Sequence, residues 1–110
     1  MSHSPADKFA TLRALLEDTV RTGDASTAAA DRELAFERPA DLGGARGRYC
    51  AQVALDANGV TDDDVAALRA EGFGDVEIFE YTVAAAVGQA NRQMTAAMTA
   101  LHRSPREAAP

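Results

Sequence analysis

Phe79, Val83, Val87, Ala90, Met94, Ala97 and Leu101 recur at steps of three or four residues. That is the period of one face of an α-helix, whereas a strand alternates every second residue. The segment from Asp75 to about His102 therefore reads as one helix, roughly 42 Å long at about 1.5 Å per residue. A compact domain of this chain length is only about 34 Å across. Such a helix must kink near Gly88 or project into a partner. Ala84-Ala85-Ala86, Ala90 and Ala97 lack bulk, which lets another helix approach closely.

Composition points the same way. Of the 51 hydrophobic residues among 110, 25 are Ala, against 7 Val and 1 Ile, so the apolar content favours helix over strand. The fold class expected is all-α. Leu, Ile, Val and Phe together make 20 residues, a small quota for a core. A monomer so furnished buries little area per residue and is marginal at this size, which self-association would relieve. One domain, residues 1–102, is expected, with 103–110 a loose, Pro-containing tail. Residues 1–55 carry 7 basic and 8 acidic side chains, and residues 56–110 carry 4 and 9. The only local basic group, Arg38, Arg46 and Arg48, is too small a footprint for nucleic acid. No stretch reaches the roughly 20 apolar residues of a membrane span, and the first residues lack a signal-peptide core. A single cysteine, Cys50, suits a reducing compartment, so a cytoplasmic location is expected.

Local signals divide the chain into helices. Ser4 can cap a first helix with Pro5 at its first position; Phe9, Leu12, Leu16 and Val20 mark its apolar face and Gly23 its stop. A second helix is expected from about Ser26 to Glu37, with Ala30, Leu34 and Phe36 as a weak apolar face before Pro39. Leu42 to Asn58 is a third, with Tyr49, Val53 and Ala57 on one face, although Gly43, Gly44 and Gly47 weaken its start. The strongest punctuation follows. Thr61 and Asp64 form a capping box, with Val60 stapled to Val65. Gly72 ends that helix in a Schellman turn with Phe73 against Leu68. Gly74 caps the final helix, helped by Glu77, while Phe73 also staples onto Ile78.

Few side chains suggest chemistry. Asp56, Asn58, Asp62, Asp63 and Asp64 invite a calcium loop, but its sixth and twelfth positions would be Thr61 and Ala67 rather than Gly and Glu. They read as helix caps, and neither a metal nor a cofactor is expected. His3 and His102 lie near the chain ends and complete no triad. Cys50 is one candidate nucleophile, since Arg46 and Arg48 would favour its thiolate; the alternative is a buried thiol packed as a small hydrophobe. Glu80, at the border of the apolar face, is a candidate base if burial raises its pKa, and otherwise pairs with an arginine or faces solvent. Asn91, Arg92 and Thr95 read as the solvated side of the last helix.

Gly59-Val60-Thr61-Asp62-Asp63-Asp64-Val65-Ala66-Ala67-Leu68, then Gly72-Phe73-Gly74-Asp75-Val76-Glu77-Ile78-Phe79-Glu80, then Asn91-Arg92, form a series that resembles the alkylhydroperoxidase-D-like (AhpD-like) group, which includes the carboxymuconolactone decarboxylases. The likeness covers about residues 42–101. It implies a helical bundle that assembles as dimers, trimers or hexamers. Thiol-dependent members carry Cys-x-x-Cys-x-x-x-His before the glycine matching Gly59. Gly44, Gly47 and Ala51 stand at those positions here, with Cys50 out of register. The expectation is a divergent member without disulfide-cycling peroxidase activity. It would act in homo-oligomeric assembly, or bind a partner or a small molecule between helices. The alternative is an enzyme of the group, either a one-cysteine hydroperoxide reductase through Cys50 or a decarboxylase-like lyase through Glu80.

Overall fold

A computed structural model describes the backbone of residues 5–108 and the side chains of residues 10–103 other than Thr22. Five α-helices follow in order: α1 (Pro5–Thr22), α2 (Ala29–Glu37), α3 (Gly44–Asp56), α4 (Asp62–Ala70) and α5 (Asp75–Ala108). Single 3-10 turns at Pro39–Leu42 and Ala57–Gly59 bracket α3, and there is no strand among the described residues. The fold is all-α, with a long C-terminal helix. No described helix is long and apolar enough to cross a membrane.

The local punctuation around α4 is as the sequence requires. The Thr61 hydroxyl accepts from the Asp64 amide at 3.3 Å, and Asp64 Oδ2 accepts from the Thr61 amide at 2.9 Å. Gly72, with φ of 98°, reverses the chain, and the Phe73 amide closes the turn on the Leu68 carbonyl at 3.2 Å. Phe73 packs against the core cluster that contains both Leu68 and Ile78, so one ring serves both helix ends. The Gly74 amide donates to Glu77 at 3.0 Å as α5 begins.

Elsewhere the boundaries differ for physical reasons. α2 starts at Ala29 rather than Ser26, because the Ser26 and Thr27 amides are engaged by a carboxylate from another helix. α3 starts at Gly44, where Gly43 and Gly44 both take positive φ, and stops at Asp56. Ala57 therefore falls in a 3-10 turn and is exposed instead of sharing a face with Tyr49 and Val53. Gly47 is buried because the Pro39–Leu42 turn lies over it: a Cβ there would stand 3.1 Å from the Ala40 carbonyl oxygen. α5 runs unbroken through Gly88 and continues to Ala108, past the expected end at His102, so the backbone of 103–108 is helix rather than loose tail. Ser4 lies outside the described residues, as does the side chain of Phe9.

The core is small. Phe36, Leu68 and Cys50 are the largest fully buried side chains, and the rest is largely Ala35, Ala45, Ala84 and Ala85 with Tyr49, Val53, Ile78 and Tyr81 around them. The residues of α5 that enter it are Ile78, Tyr81, Ala84, Ala85 and Gly88. The apolar stripe that defines the helix in the sequence lies on the opposite side. Phe79 is 68% exposed and Leu101 59%; Met94, Ala90 and Ala97 are also exposed, while Val83 and Val87 are half-buried. One helix thus carries two apolar faces, and the face with the larger side chains points out.

Candidate functional site

The charged side chains concentrate at helix ends, each reaching there from a different helix. Ala28, the N-cap of α2, has no side-chain acceptor. Glu80 of α5 instead holds the segment just before it from across the fold: its carboxylate accepts from the Ser26 amide at 3.0 Å, the Thr27 amide at 2.9 Å and the Thr27 hydroxyl at 2.8 Å. Gly43, the N-cap of α3, also lacks an acceptor, and Glu71 takes the Ala45 amide at 3.3 Å. Arginines serve the other ends. Arg32, only 5% exposed, donates to the Val20 carbonyl at 2.8 Å and the Gly23 carbonyl at 2.6 Å, closing α1. Arg92, braced by Gln89, donates to the Phe36 and Glu37 carbonyls and closes α2. Carboxylates stand at helix starts and guanidinium groups at helix ends, as the helix dipole favours.

Glu80 is thereby held in its charged form. Partial burial pushes its carboxyl up, but the Ser26 and Thr27 donors, with Arg32 nearby, outweigh this and hold it below the usual carboxylate range. A base poised near neutrality needs the opposite shift. Because the folded pKa is depressed, the bonds add stability above the unfolded value of about 4.3 and lose it as pH falls through the folded value. Glu80→Ala is therefore expected to cost about 1 kcal/mol at neutral pH, the net size of a lost hydrogen bond. In thermal melts across pH, its deficit against wild type should close in acid. A deficit unchanged down to the acid limb would mean that charge plays no part.

Cys50 is fully buried within the core cluster that also holds Ala84 and Ala85. Burial pushes its thiol up to about 11, against the opposing pull of Arg46. At neutral pH almost none of it is thiolate, the form that attacks peroxides. Arg46 is committed elsewhere: its guanidinium lies 5.4 Å from the Phe73 ring centre and 5.2 Å from that of Tyr81, and donates to the Tyr81 hydroxyl at 2.9 Å and Asp31 at 3.2 Å. The structure gives Cys50 and Glu80 separate surroundings, one inside the core and one on the segment before α2. Asp64 is spent on its capping box, and the described residues contain no group of three or more His, Cys, Asp or Glu able to hold a metal.

Among the described residues, clefts open between helices. One of about 170 Å³ lies beside Glu80, bordered by Val20, Phe79 and Val83. The other, of about 280 Å³, lies between Ala51, Leu55 and Arg92. Both fall short of the ~300–1,000 Å³ usual for small-molecule pockets. The outward face of α5 leaves Phe79, Met94 and Leu101 exposed, and on α1 Leu12, Leu15 and Leu16 are each at least half exposed.

Sequence reasoning missed Arg32, Arg92 and Glu71, and placed Arg92 in solvent. A signal is present in the helix start at Gly43, which lacks a capping side chain and so calls for an acceptor from elsewhere. What the sequence does not carry is which residue, more than 50 positions away in the case of Glu80 and Arg92, would answer. Comparison with protein-family models, with curated proteins and with solved structures returned no match to this chain.

Proposed function

We propose that this chain is a divergent AhpD-like helical protein of a reducing, cytoplasmic setting, working as a homo-oligomeric assembly module rather than as a thiol peroxidase or lyase. The observation that carries this reading is the outward apolar face of α5, opposite the face that builds the core. Two measures of shape support it. The chain exposes 7364 Å², whereas a compact monomer of its mass exposes about 5,800 Å². Its radius of gyration is 16.8 Å, against about 13 Å for a compact domain of this length. Cys50 and Glu80 have structural explanations that leave neither available for turnover, which weighs against the enzymatic alternative.

Ala90 lies on the outward face and is exposed, so Ala90→Glu puts a charge on the interface without disturbing the core. Sedimentation velocity should show wild-type protein as an oligomer and Ala90→Glu as a monomer with an unchanged far-ultraviolet circular dichroism spectrum. Wild-type protein that sediments as a monomer at every concentration would end this reading.

A further inference from the structure

The described part of α1 is fixed to the rest of the fold at its C-terminal end. Residues 10–19 are all exposed except the half-buried Glu17, and its leucines stand outside the core. Docking begins at Val20, which packs against the core cluster. Arg21 lies 4.8 Å from the Phe36 ring centre and pairs with Glu37 at 3.3 Å and Glu33 at 3.6 Å. These ion pairs are partly exposed and so hold weakly. The stronger catch is the buried Arg32, which reaches from α2 to the Val20 and Gly23 carbonyls. Toward α5 the contact is looser: Thr19 and Val20 border the same cleft of about 170 Å³ as Phe79 and Val83.

The chain beyond this contact is held separately. Asp24 and Ala25 are exposed and belong to no helix, and the residues that follow them, Ser26 and Thr27, carry the three hydrogen bonds to Glu80 of α5. Those bonds keep the approach to α2 in place while Gly23, Asp24 and Ala25 absorb a change of direction. They also give a reason for a carboxylate of α5 to hold a connecting segment rather than a helix start. We infer that α1 is a hinged arm that undocks as a unit about residues 23–25, with Arg32 as its catch and Glu80 as the pin beyond the hinge, while α2 to α5 stay folded. Once undocked the arm also melts, because an 18-residue helix is marginal alone in water. Opening takes Arg21 off the Phe36 ring and Val20 off the core cluster, and it leaves both Arg32 donors without their carbonyls. The closed arm is thus a cover over an apolar patch with a guanidinium at its edge, released at less cost than unfolding the molecule.

Native-state hydrogen exchange at a series of low urea concentrations tests this. The amides of residues 12–23 should share one opening, with protection about 100-fold or more below that of α3 and a shallower dependence on urea, since less surface is exposed. Two variants separate catch from pin. Arg32→Lys weakens the closed state alone and should lower the protection of α1 about tenfold. Glu80→Gln weakens bonds that survive in both the closed and the open state, so it should leave the protection of α1 unchanged while lowering that of the Ser26 and Thr27 amides. Arg21→Ala, at a half-buried position, takes the place of Arg32→Lys should that variant misfold, with a loss of several-fold. Protection and urea dependence equal to those of α3 would mean that α1 opens only with the whole molecule and overturn the inference. Protection that climbs steadily toward Gly23 would mean fraying from the N-terminal end, and a Glu80→Gln loss in α1 as large as that of Arg32→Lys would place the hinge elsewhere; either result overturns it.

Discussion

Gly88→Ala is expected to destabilise the fold by about 3 kcal/mol, at the upper end of what overpacking costs. Helix propensity alone predicts the reverse sign, since Ala in a helix interior is favoured over Gly by roughly 1 kcal/mol. The reversal comes from α2. A Cβ on Gly88 would fall on the Phe36 carbonyl oxygen and stand 2.7 Å from its carbon and 2.8 Å from its Cα. These are backbone atoms, so no rotamer change relieves the overlap and α2 must lift away from α5. Lifting it weakens the bond from Arg92 to the same carbonyl and loosens the burial of Phe36, which is 1% exposed. Against a total stability of about 5–15 kcal/mol this is a large fraction. Urea titration checks it: the midpoint should fall with little change in slope. A rise in midpoint would show that the two helices do not approach this closely.

Arg32→Met has the second largest expected effect, about 3 kcal/mol. Met fills a similar volume but donates nothing, so the Val20 and Gly23 carbonyls lose donors at 2.8 and 2.6 Å. Each buried acceptor left unpartnered costs about 1–3 kcal/mol. The damage should be local at first, because those carbonyls close α1, whose Leu12, Leu15 and Leu16 are exposed and add little docking of their own. Limited proteolysis should therefore cut the Arg32→Met variant between Gly23 and Ala25 faster than wild type, before global unfolding. Arg32→Lys keeps a cationic donor and should recover part of the loss. Cleavage at the wild-type rate would mean that α1 is held by something other than this arginine.

The parts of the molecule legible from the sequence are those in which cause and effect lie within a few residues. Thr61 and Asp64, and Gly72 with Phe73, act on neighbours, and their hydrogen bonds form as the residue types require. The periodicity of α5 was equally plain, but a period identifies a face without saying which way it points. The apolar stripe from Phe79 to Leu101 turned outward because the small residues Ala84, Ala85 and Gly88 admit α2 and α3 more closely than the bulkier face could. The candidate site is less legible. Residue type alone singles out Cys50 and Glu80, whereas burial and hydrogen-bond partners decide whether a thiol or carboxyl can react, and both depend on segments distant in the chain.

The fixing of α2 and the segment before it by residues far along the sequence bears on how the chain reaches its fold. α5 completes the end of this nine-residue helix through Arg92 and fixes the segment before its start through Glu80, each more than 50 positions from the groups it bonds. A helix this short is unstable alone in water. During synthesis, then, the first half of the protein leaves the ribosome without the groups that finish it, and α2 cannot settle until residue 92 has emerged. Most of the fold must form late and together, in one cooperative step, with the order of events set by contacts distant in sequence rather than by the order of translation.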